Sequence, residues 1–494
     1  MKKEKEYKMT QSNTDNRIKF GLDKAVLGML LTLAWPTILE NLLETILQYV
    51  DTAMVGHLGA QATATVSLTA TYTWLIQSVI GALGVGFLSY IARAVGEKDQ
   101  SKIRKASRLA MIVALLAGGI LMAITLWMAP HVPVWMGAER AIHADATRYF
   151  IFINLPMIFR AATIIFASAI RATGDTKTPM IVNVWVNVIN IGLNYVFIYL
   201  LGKGAVGAGM ATMVSYTIGG LLMTVVFLRN PSLDVLGKGG SPAQGKEGKP
   251  LVTEKAQDIL PVTTRQVLTA VLAISLPVVL TRLASCLGHV VFTSFVSSMD
   301  TITYAAHAIA ITSEEIFYIP GYGMMAATST LIGHAIGEKN KKKEKDVKIV
   351  SIALIFGLMC ITGILLFVGA HAMMSVFTKD PQVIAIGTRL LRMVAFTEPV
   401  FGTSAVMEGI YNGMGRTRYP LVVELISMWG VRVVGTYLCV RVFGLGITAV
   451  WIMMICNNIL KAILLALGLL SMGRKNAQKY AKGFILQNFL RYRR

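Results

Sequence analysis

Twelve long apolar stretches run through this chain and constrain its fold more than any other feature. An α-helix needs about 20 mostly apolar residues to cross the hydrocarbon core of a bilayer, and each stretch is about that long or longer. We therefore predict an all-α polytopic membrane protein with twelve transmembrane helices. The stretches are approximately 25–51, 64–94, 108–129, 148–170, 180–200, 205–228, 267–291, 305–335, 348–370, 389–411, 420–441 and 447–471.

Composition agrees with this class. The 494 residues are 54% hydrophobic and only 15% charged, whereas soluble domains carry about 25% charged residues. The formal net charge is +21, since 47 Lys and Arg stand against 26 Asp and Glu. This combination argues against an ordinary cytosolic enzyme and against a disordered polycation. The 4 cysteines are widely spaced and imply neither a disulfide framework nor a thiol metal site.

The basic residues are concentrated in alternate loops. With twelve spans, both termini and the even-numbered loops lie on one side, which holds 35 of the 47 Lys and Arg residues against 6 on the other. Because short cytoplasmic loops are enriched in Lys and Arg, we predict a multi-pass protein of the cell (plasma or inner) membrane with both termini in the cytoplasm. This pattern accounts for the basic tails, so we expect membrane lipids and no nucleic acid as partners.

The chain contains an internal repeat. A shift of 241 residues places Pro36 on Pro277 and the segment 96–98 on 337–339. Six spans per repeat is an even number, so the halves have parallel topology and form two six-helix lobes. Transporters with such repeats bind substrate between or within the halves, which favours a carrier over a receptor or a pore.

The repeat and the composition also set the expected domain boundaries. Residues 1–24 and 472–494 are expected to be cytoplasmic tails, the second of them basic. The lobes are expected at 25–228 (helices 1–6) and 267–471 (helices 7–12). Between them, 229–266 is rich in Gly, Pro and Lys, which is typical of a flexible cytoplasmic linker.

The first span carries four polar side chains on one face. At 100° per residue, Glu40, Glu44, Gln48 and Asp51 project within a sector of about 80°. Three carboxylates cannot face lipid, so we expect this stripe to face an aqueous cavity, where its acids can exchange protons or bind Na⁺. The alternative is a structural role, in which they pair with buried arginines or cap the helix end.

The fifth span carries a similar stripe of amides. Asn183, Asn187, Asn190 and Asn194 project within a sector of about 60°. Such a face either lines a hydrophilic cavity or hydrogen-bonds to neighbouring helices. Because the 241-residue shift places no carboxylate opposite the first-span stripe, we expect ion coupling to be concentrated in the N-terminal half.

The eighth span carries two adjacent acids, Glu314 and Glu315. Adjacent helical residues diverge by about 100°, so at most one of them points into a given cavity. Tyr318 and Tyr322 extend the face of Glu314. Aromatic rings beside an acid can hold an organic cation, and ordinary packing of the tyrosines is the alternative.

Four basic residues fall near the middle of spans, where a charge costs about 2.5–3.5 kcal/mol. The default expectation is pairing with acids on other helices, and Glu398, Glu408 and Glu424 are available for this. The alternative is a basic cavity for an anionic substrate. The four residues are Arg160, Arg282, Arg432 and Lys461.

The sequence carries no credible signature of catalysis or of a cofactor. The segment 240–246 has the spacing of a phosphate-binding loop, but Glu247 replaces the Ser or Thr that would hold Mg²⁺ and no predicted strand precedes it. The 7 histidines show no metal-ligand spacing. We expect no cofactor, no metal beyond a Na⁺ at Asp51, and no enzymatic activity.

Six separate segments match the pattern of one known family. They are Pro36 and the segments 50–56, 96–98, 172–179, 320–337 and 412–417. Together they resemble the multidrug and toxic compound extrusion (MATE) family of prokaryotic type, over about residues 25–471. The resemblance implies secondary antiporters that export organic cations and other toxic compounds in exchange for H⁺ or Na⁺. It also implies two six-helix lobes around a cleft that alternates between the membrane faces.

The resemblance also implies roles for particular residues. Asp51 matches the first-helix carboxylate implicated in ion coupling, Glu314 matches an acid of the eighth span, and Asn190 matches an asparagine of the N-lobe cavity. Asn194 falls where many prokaryotic members have Asp, and Ser285 falls near the position of a seventh-helix Glu in other members. These departures leave both H⁺ and Na⁺ open as the coupling ion.

The sequence thus predicts a monomeric secondary active efflux transporter for small organic compounds, mostly cationic and amphipathic. Its coupling ion is H⁺ or Na⁺. The alternative is a lipid-linked saccharide flippase of related two-lobe architecture, in which mid-span arginines bind a phosphate. The ion-coupling candidates are Asp51, Glu40, Glu44 and Glu314, and the cavity candidates are Gln48, Asn183, Asn187, Asn190, Asn194, Tyr318 and Tyr322.

Overall fold

The computed structural model describes residues 23–237 and 263–491, which form helices and, among themselves, no β-strand. The predicted tail up to residue 22, most of the predicted linker and residues 492–494 lie outside the described residues. The first half contains α1 Lys24–Gly56, α2 Ala60–Gly96, α3 Gln100–Met128, α4 Val132–Trp135, α5 His143–Asn154, α6 Met157–Ala172, α7 Lys177–Asn194 and α8 Gly204–Arg229. The second half contains α9 Thr264–Ser297, α10 Thr301–Gly337, α11 Lys341–Phe377, α12 Pro381–Ala395, α13 Glu398–Gly413, α14 Arg418–Glu424, α15 Val434–Tyr437 and α16 Ile447–Arg491.

Wider π-helical turns continue two of the spans. Tyr195–Leu200 extends α7, and Leu425–Val433 and Leu438–Val442 flank α15. A π-turn holds one residue more per turn than an α-helix and often marks a functional region. These turns therefore lie in the fifth and eleventh spans, which are equivalent in the repeat.

A helix or a helix pair lies at each of the twelve predicted spans. In the part of the chain that the structure describes, nine helices are long and apolar enough to cross a membrane, and α5 with α6, bent by 42°, forms a tenth span. The two remaining predicted spans are α10 and the broken pair α12 and α13, both of which carry ionisable residues. The all-α polytopic fold class is thereby confirmed.

The chain separates into two compact units, each built from several segments of sequence. The first comprises Met1–Cys286, Ile319–Leu354 and Gly409–Thr417. The second comprises Leu287–Tyr318, Ile355–Glu408 and Arg418–Arg494. The first unit therefore joins the whole first repeat to segments of α9, α10, α11 and α13, so compactness does not follow the duplication.

The core of the first unit is centred on α6. Phe166 of α6 stacks on Phe227 of α8, with ring centroids 4.2 Å apart. Leu233 and Val235, which follow α8, are buried in the same core. The side chain of Arg104 forms an ion pair with Asp234. The predicted linker therefore begins with a segment that packs against α3 rather than with free chain.

Within the first unit, the ends of α2 and α10 cross with almost no space between their backbones. A Cβ atom at Gly96 would lie 2.2 Å from the carbonyl oxygen of His334, and a Cβ atom at Gly337 would lie 2.2 Å from that of Arg93. The two glycines are 241 residues apart, so the crossing is symmetric in the repeat. The His334 ring also bonds through Nε2 to the carbonyl oxygen of Ala172 at 2.8 Å. Two glycines thus join the first repeat to a segment of the second.

The second unit has its own aromatic core around α16. Trp451 is fully buried and donates from Nε1 to Nδ1 of His307 at 3.1 Å. The His307 ring meets Phe292 edge to face at 5.5 Å between centroids. This contact assigns His307 a packing role, since its ring nitrogen is already occupied by the indole.

A methyl group at the glycine crossing is expected to destabilise the protein. Gly337→Ala places Cβ 2.2 Å from the carbonyl oxygen of Arg93, so the helices must separate, and overpacking of this kind costs about 1–3 kcal/mol. Gly369→Ala on α11 is the matched control, because a Cβ atom there meets nothing within 4 Å. Thermal unfolding in detergent should show a lower midpoint for Gly337→Ala alone. Equal midpoints for the two variants would contradict a tight crossing.

Candidate functional site

The acidic stripe of the first span meets the amide stripe of the fifth. α1 packs along α7 in the first unit, and Asn194 donates to a carboxylate oxygen of Asp51 at 2.5 Å. Three helical turns away, Asn183 donates to Glu40. Both pairs are 143 residues apart in sequence, which is the relation expected of two parallel helices in register. The two stripes therefore form two hydrogen-bonded rungs.

The Asp51 rung contains only neutral partners. Asn194 is fully buried and also donates to the side-chain oxygen of Asn190 at 3.0 Å. Asp51 itself is half-buried, and no described side chain forms an ion pair with it. Its charge is therefore held by amide dipoles and is not neutralised by a fixed cation.

The Glu40 rung is different because it contains an arginine. Arg171 of α6 donates from Nη2 to Glu40 at 2.6 Å. The glutamate is only 6% exposed, so the ion pair is nearly dry. Removing one partner of such a pair leaves an uncompensated buried charge. The Glu40 rung therefore contains a fixed cation, whereas the Asp51 rung contains none among the described residues.

Glu44 lies between the rungs, near Gln77 of α2 and the buried cation Arg160. The Oε1 atom of Gln77 accepts from Nη2 of Arg160 at 2.7 Å, and the guanidinium lies 4.6 Å from the ring centroid of Tyr216. The guanidinium of Arg160 therefore contacts an amide oxygen and an aromatic ring, and the carboxylate of Glu44 is nearby.

Two members of the stripes stay outside this network. Gln48 is exposed and Asn187 is half-buried. Neither side chain hydrogen-bonds to another side chain in the described ranges. Both lie between the two rungs on the same faces of α1 and α7, so they present polar groups that remain available to a ligand.

In the second unit, Glu314 is buried and Glu315 is exposed. The hydroxyl group of Tyr318 donates to Glu314, and its ring stacks on Phe401 with centroids 3.8 Å apart. The expectation that only one of the two acids points inward is met. Tyr322, which is 39% exposed, falls in the first unit.

Glu398 was not among the sequence-based site candidates. It begins α13, just after the break that follows α12, and is 1% exposed. Neither of its oxygens has a hydrogen-bond partner among the described residues, and it interacts electrostatically with Glu314. Its signal in the sequence is an acid inside the predicted tenth span, 389–411, where a charge requires a partner.

Two further mid-span cations, Lys461 and Arg432, are held in different ways. Lys461 lies 2.8 Å from Glu424 and 3.4 Å from Glu408. Arg432 lies 4.2 Å from the ring centroid of Phe292 and donates to the sulfur of Met454 at 2.9 Å. The default expectation of charge pairing therefore holds for Lys461, whereas Arg432 is held by an aromatic ring and a thioether.

Both halves of the sequence are similar to one family of known proteins. The sequence matches the profile of the MatE family twice, over residues 36–196 and 277–438. The chain belongs to the MatE family. Members of this family are membrane transporters and not enzymes, so this MatE protein is a multi-pass membrane transporter. The two matched regions begin 241 residues apart, which confirms the internal repeat.

Relatives of this MatE protein cover almost its whole length. The "probable multidrug resistance protein NorM" of Thermotoga maritima is 27% identical over 90% of this chain and 92% of its own. The "probable multidrug resistance protein YoeA" of Bacillus subtilis is 25% identical over 84% of this chain and 88% of its own.

Solved structures share the fold of this MatE protein. A structure described as the outward-facing conformation of a multidrug resistance MATE family transporter has a TM-score of 0.82 and 21% identity, over 91% of this chain and 96% of that one. A crystal structure of MATE in complex with MaD3S has a TM-score of 0.81 and 22% identity, over 92% of this chain and 97% of that one.

Breaking the Glu40 ion pair is expected to destabilise the protein more than removing the pair. Arg171→Gln leaves a buried carboxylate uncompensated, which costs about 3–5 kcal/mol. Combining it with Glu40→Gln should recover much of the thermal midpoint measured in detergent. Lys348→Gln is the control, because its partner Glu344 is an i,i+4 neighbour in a partly exposed pair worth about 0.5 kcal/mol. A double variant no more stable than Arg171→Gln would contradict a direct pair.

Proposed function

We propose that this MatE protein is a secondary active multidrug efflux transporter that exchanges H⁺ or Na⁺ for organic compounds, mostly cationic and amphipathic, by alternating access. The observation that carries the proposal is the half-buried carboxylate of Asp51, which is held by Asn194 and has no cationic partner among the described residues. The names of its relatives, "probable multidrug resistance protein", support the substrate class.

Asp51 is the strongest candidate for the coupling ion because its negative charge is available. A carboxylate paired with arginine, as Glu40 is with Arg171, gains little from binding a second cation. A carboxylate held by amide groups keeps its attraction for H⁺ or Na⁺, and partial burial strengthens that attraction because water screens it less. Asp51 is therefore assigned the exchange of the ion, and Glu40 is assigned the positioning of Asn183.

Glu44 and Glu314 are secondary members of the proposed coupling set. Glu44 lies one helical turn from Glu40 and near Arg160, whose Nη2 atom donates to Gln77. Glu314 is buried with a single phenolic donor, Tyr318. Both acids can respond to a change in nearby charge, Glu44 in the first repeat and Glu314 in the second.

The substrate is proposed to contact side chains that the rungs leave available. Gln48 and Asn187 supply polar groups without competing partners, whereas Asn190 and Asn194 are engaged with each other and with Asp51. A cation at this face and a cation on Asp51 repel each other. If the substrate cation and the ion on Asp51 cannot be bound together, binding of the ion releases the substrate. This is the condition for exchange.

The ion gradient supplies sufficient energy without a nucleotide. One positive charge moving inward through 100 mV releases about 2.3 kcal/mol, which offsets the cost of moving one singly charged substrate outward, so the concentration gradient of the coupling ion drives the accumulation. The proposed orientation has both termini in the cytoplasm, supported by the 35 basic residues on that side against 6 opposite. It places the ion gradient of a cell membrane in the direction that drives export.

The flippase alternative requires mid-span arginines that are free to bind a phosphate. Arg160 is engaged by Gln77 and Tyr216, and Arg432 is engaged by Phe292 and Met454. No observation on this chain favours that function over antiport, so the exporter remains the proposal.

Transport in proteoliposomes tests the proposal. Vesicles containing the protein and a fluorescent organic cation are given a pH gradient or a Na⁺ gradient separately. One of the two gradients is expected to drive dye movement against its own concentration, and the other is not. Dye movement that neither gradient accelerates would overturn antiport.

A charge-neutral substitution tests the role of Asp51 in the same vesicles. Asp51→Asn is expected to reduce gradient-driven transport at least tenfold, because the amide cannot take up the coupling ion. Asp145→Asn is the matched control, since this acid is exposed at the start of α5 and is expected to transport as the wild type does. Unchanged gradient-driven transport by Asp51→Asn, with the control also active, would remove the assigned role.

A further inference from the structure

The second unit contains an open groove that the transport mechanism does not use. It has a volume of about 550 Å³ and lies among α11, α12 and α16. Most of its lining is apolar, and its polar groups come mainly from one face of α12. The lining residues are Phe367, Ala385, Thr388, Arg389, Arg392, Met393, Phe396 and Ile455.

Two arginines of α12 stand side by side in this groove. Arg389 and Arg392 are three residues apart, so they are neighbours on one helical face, and both are exposed. No acidic side chain among the described residues pairs with either of them. α12 begins at Pro381, so at 1.5 Å per residue the two Cα atoms lie about 12 Å and 16 Å along the helix. Arg389 therefore lies at the start of the predicted tenth span, 389–411, and Arg392 lies one helical turn inside it.

The local aromatic rings do not offset the cost of this charge. The guanidinium of Arg392 lies 5.4 Å from the ring centroid of Phe367, and that ring meets Phe396 edge to face. An exposed cation–π contact is weak, and no such contact involves Arg389 among the described residues. An anion in the groove would offset the repulsion between the two guanidinium groups.

The rest of the groove matches an acyl chain. Phe396 is 75% exposed, and Met393 and Ile455 continue the apolar wall. A ligand that fits must combine an anionic head between the guanidinium groups with a hydrocarbon tail along these side chains. Arginine binds phosphate oxygens through paired N–H donors, so a phosphate is the head group that this pair suits best.

We propose that this groove binds an anionic phospholipid, with its phosphate between Arg389 and Arg392 and an acyl chain along Phe396 and Ile455. Charge complementarity selects an anionic lipid over a zwitterionic one, and the apolar wall selects a lipid over a soluble phosphate. In the orientation proposed above, the lipid belongs to the outer leaflet, and only this choice of leaflet rests on the proposed function.

The first repeat supplies an internal comparison. The 241-residue shift places Arg148 opposite Arg389 but Ile151 opposite Arg392. A single arginine is therefore sufficient for folding at the equivalent position, and the second arginine is specific to the C-terminal half. The pair is thus a feature of the groove rather than a requirement of the repeated helix.

Lipid-dependent thermal stability tests the site on the purified full chain in neutral detergent. Phosphatidylglycerol is expected to raise the unfolding midpoint more than phosphatidylcholine with the same acyl chains, and native mass spectrometry is expected to show retained phosphatidylglycerol. The Arg389→Gln/Arg392→Gln variant should bind it at least tenfold more weakly. Arg148→Gln, the counterpart in the first repeat, is the matched control and should behave as the wild type does.

Folding failure is separated from loss of binding by a second variant. Arg389→Lys/Arg392→Lys keeps both charges and is expected to retain part of the preference for phosphatidylglycerol. Equal stabilisation by the two lipids, or an undiminished preference in the double glutamine variant, would overturn the proposal. Inorganic phosphate that displaces phosphatidylglycerol at millimolar concentration would also overturn it, because the site would then belong to a soluble anion.

Discussion

The cost of a charge inside a bilayer organises this transporter. Most ionisable side chains in its spans are matched by a specific partner, as Glu40 is by Arg171 and Lys461 is by Glu424. Glu398 and Asp51 lack a cationic partner among the described residues. The paired charges hold helices together, whereas a carboxylate without a fixed cation is where a mobile cation gains most. Pairing therefore separates the charges that build the protein from those suited to transport.

The two repeats share a backbone arrangement but differ in the polar side chains around their acids. The crossing of Gly96 and Gly337 is symmetric, so both repeats have the same backbone contact there. The side chains that surround the buried acids differ between the repeats. Asp51 is held by amides, whereas Glu314 has a tyrosine. The shared backbone therefore carries two different polar environments, one in each half.

The sequence predicted the helices and their faces better than the contacts between them. Helical periodicity placed the acids of the first span and the amides of the fifth on single faces, and the structure brings those faces together. Periodicity does not give the register between helices, so the pairing of Asp51 with Asn194, rather than with Asn190, required coordinates. The sequence also predicted that Glu398 could neutralise a mid-span cation, but neither of its oxygens has a hydrogen-bond partner among the described residues. Long-range packing determines partners, and a local pattern cannot.

The π-turns of the eleventh span accompany a difference in length between the two repeats. Gly174 and Gly415 both have positive φ and are 241 residues apart, but the next such pair, Gly202 and Gly444, is 242 apart. One extra residue has therefore entered the second copy between these points, and the wide turns absorb it without breaking the span. Adjacent residues on a helix point about 100° apart, so an offset that is wrong by one residue compares different faces. After the inserted residue, the counterpart of Asn194 is Thr436. A constant offset of 241 residues would instead pair Asn194 with the residue before Thr436, which lies on a different face of the helix.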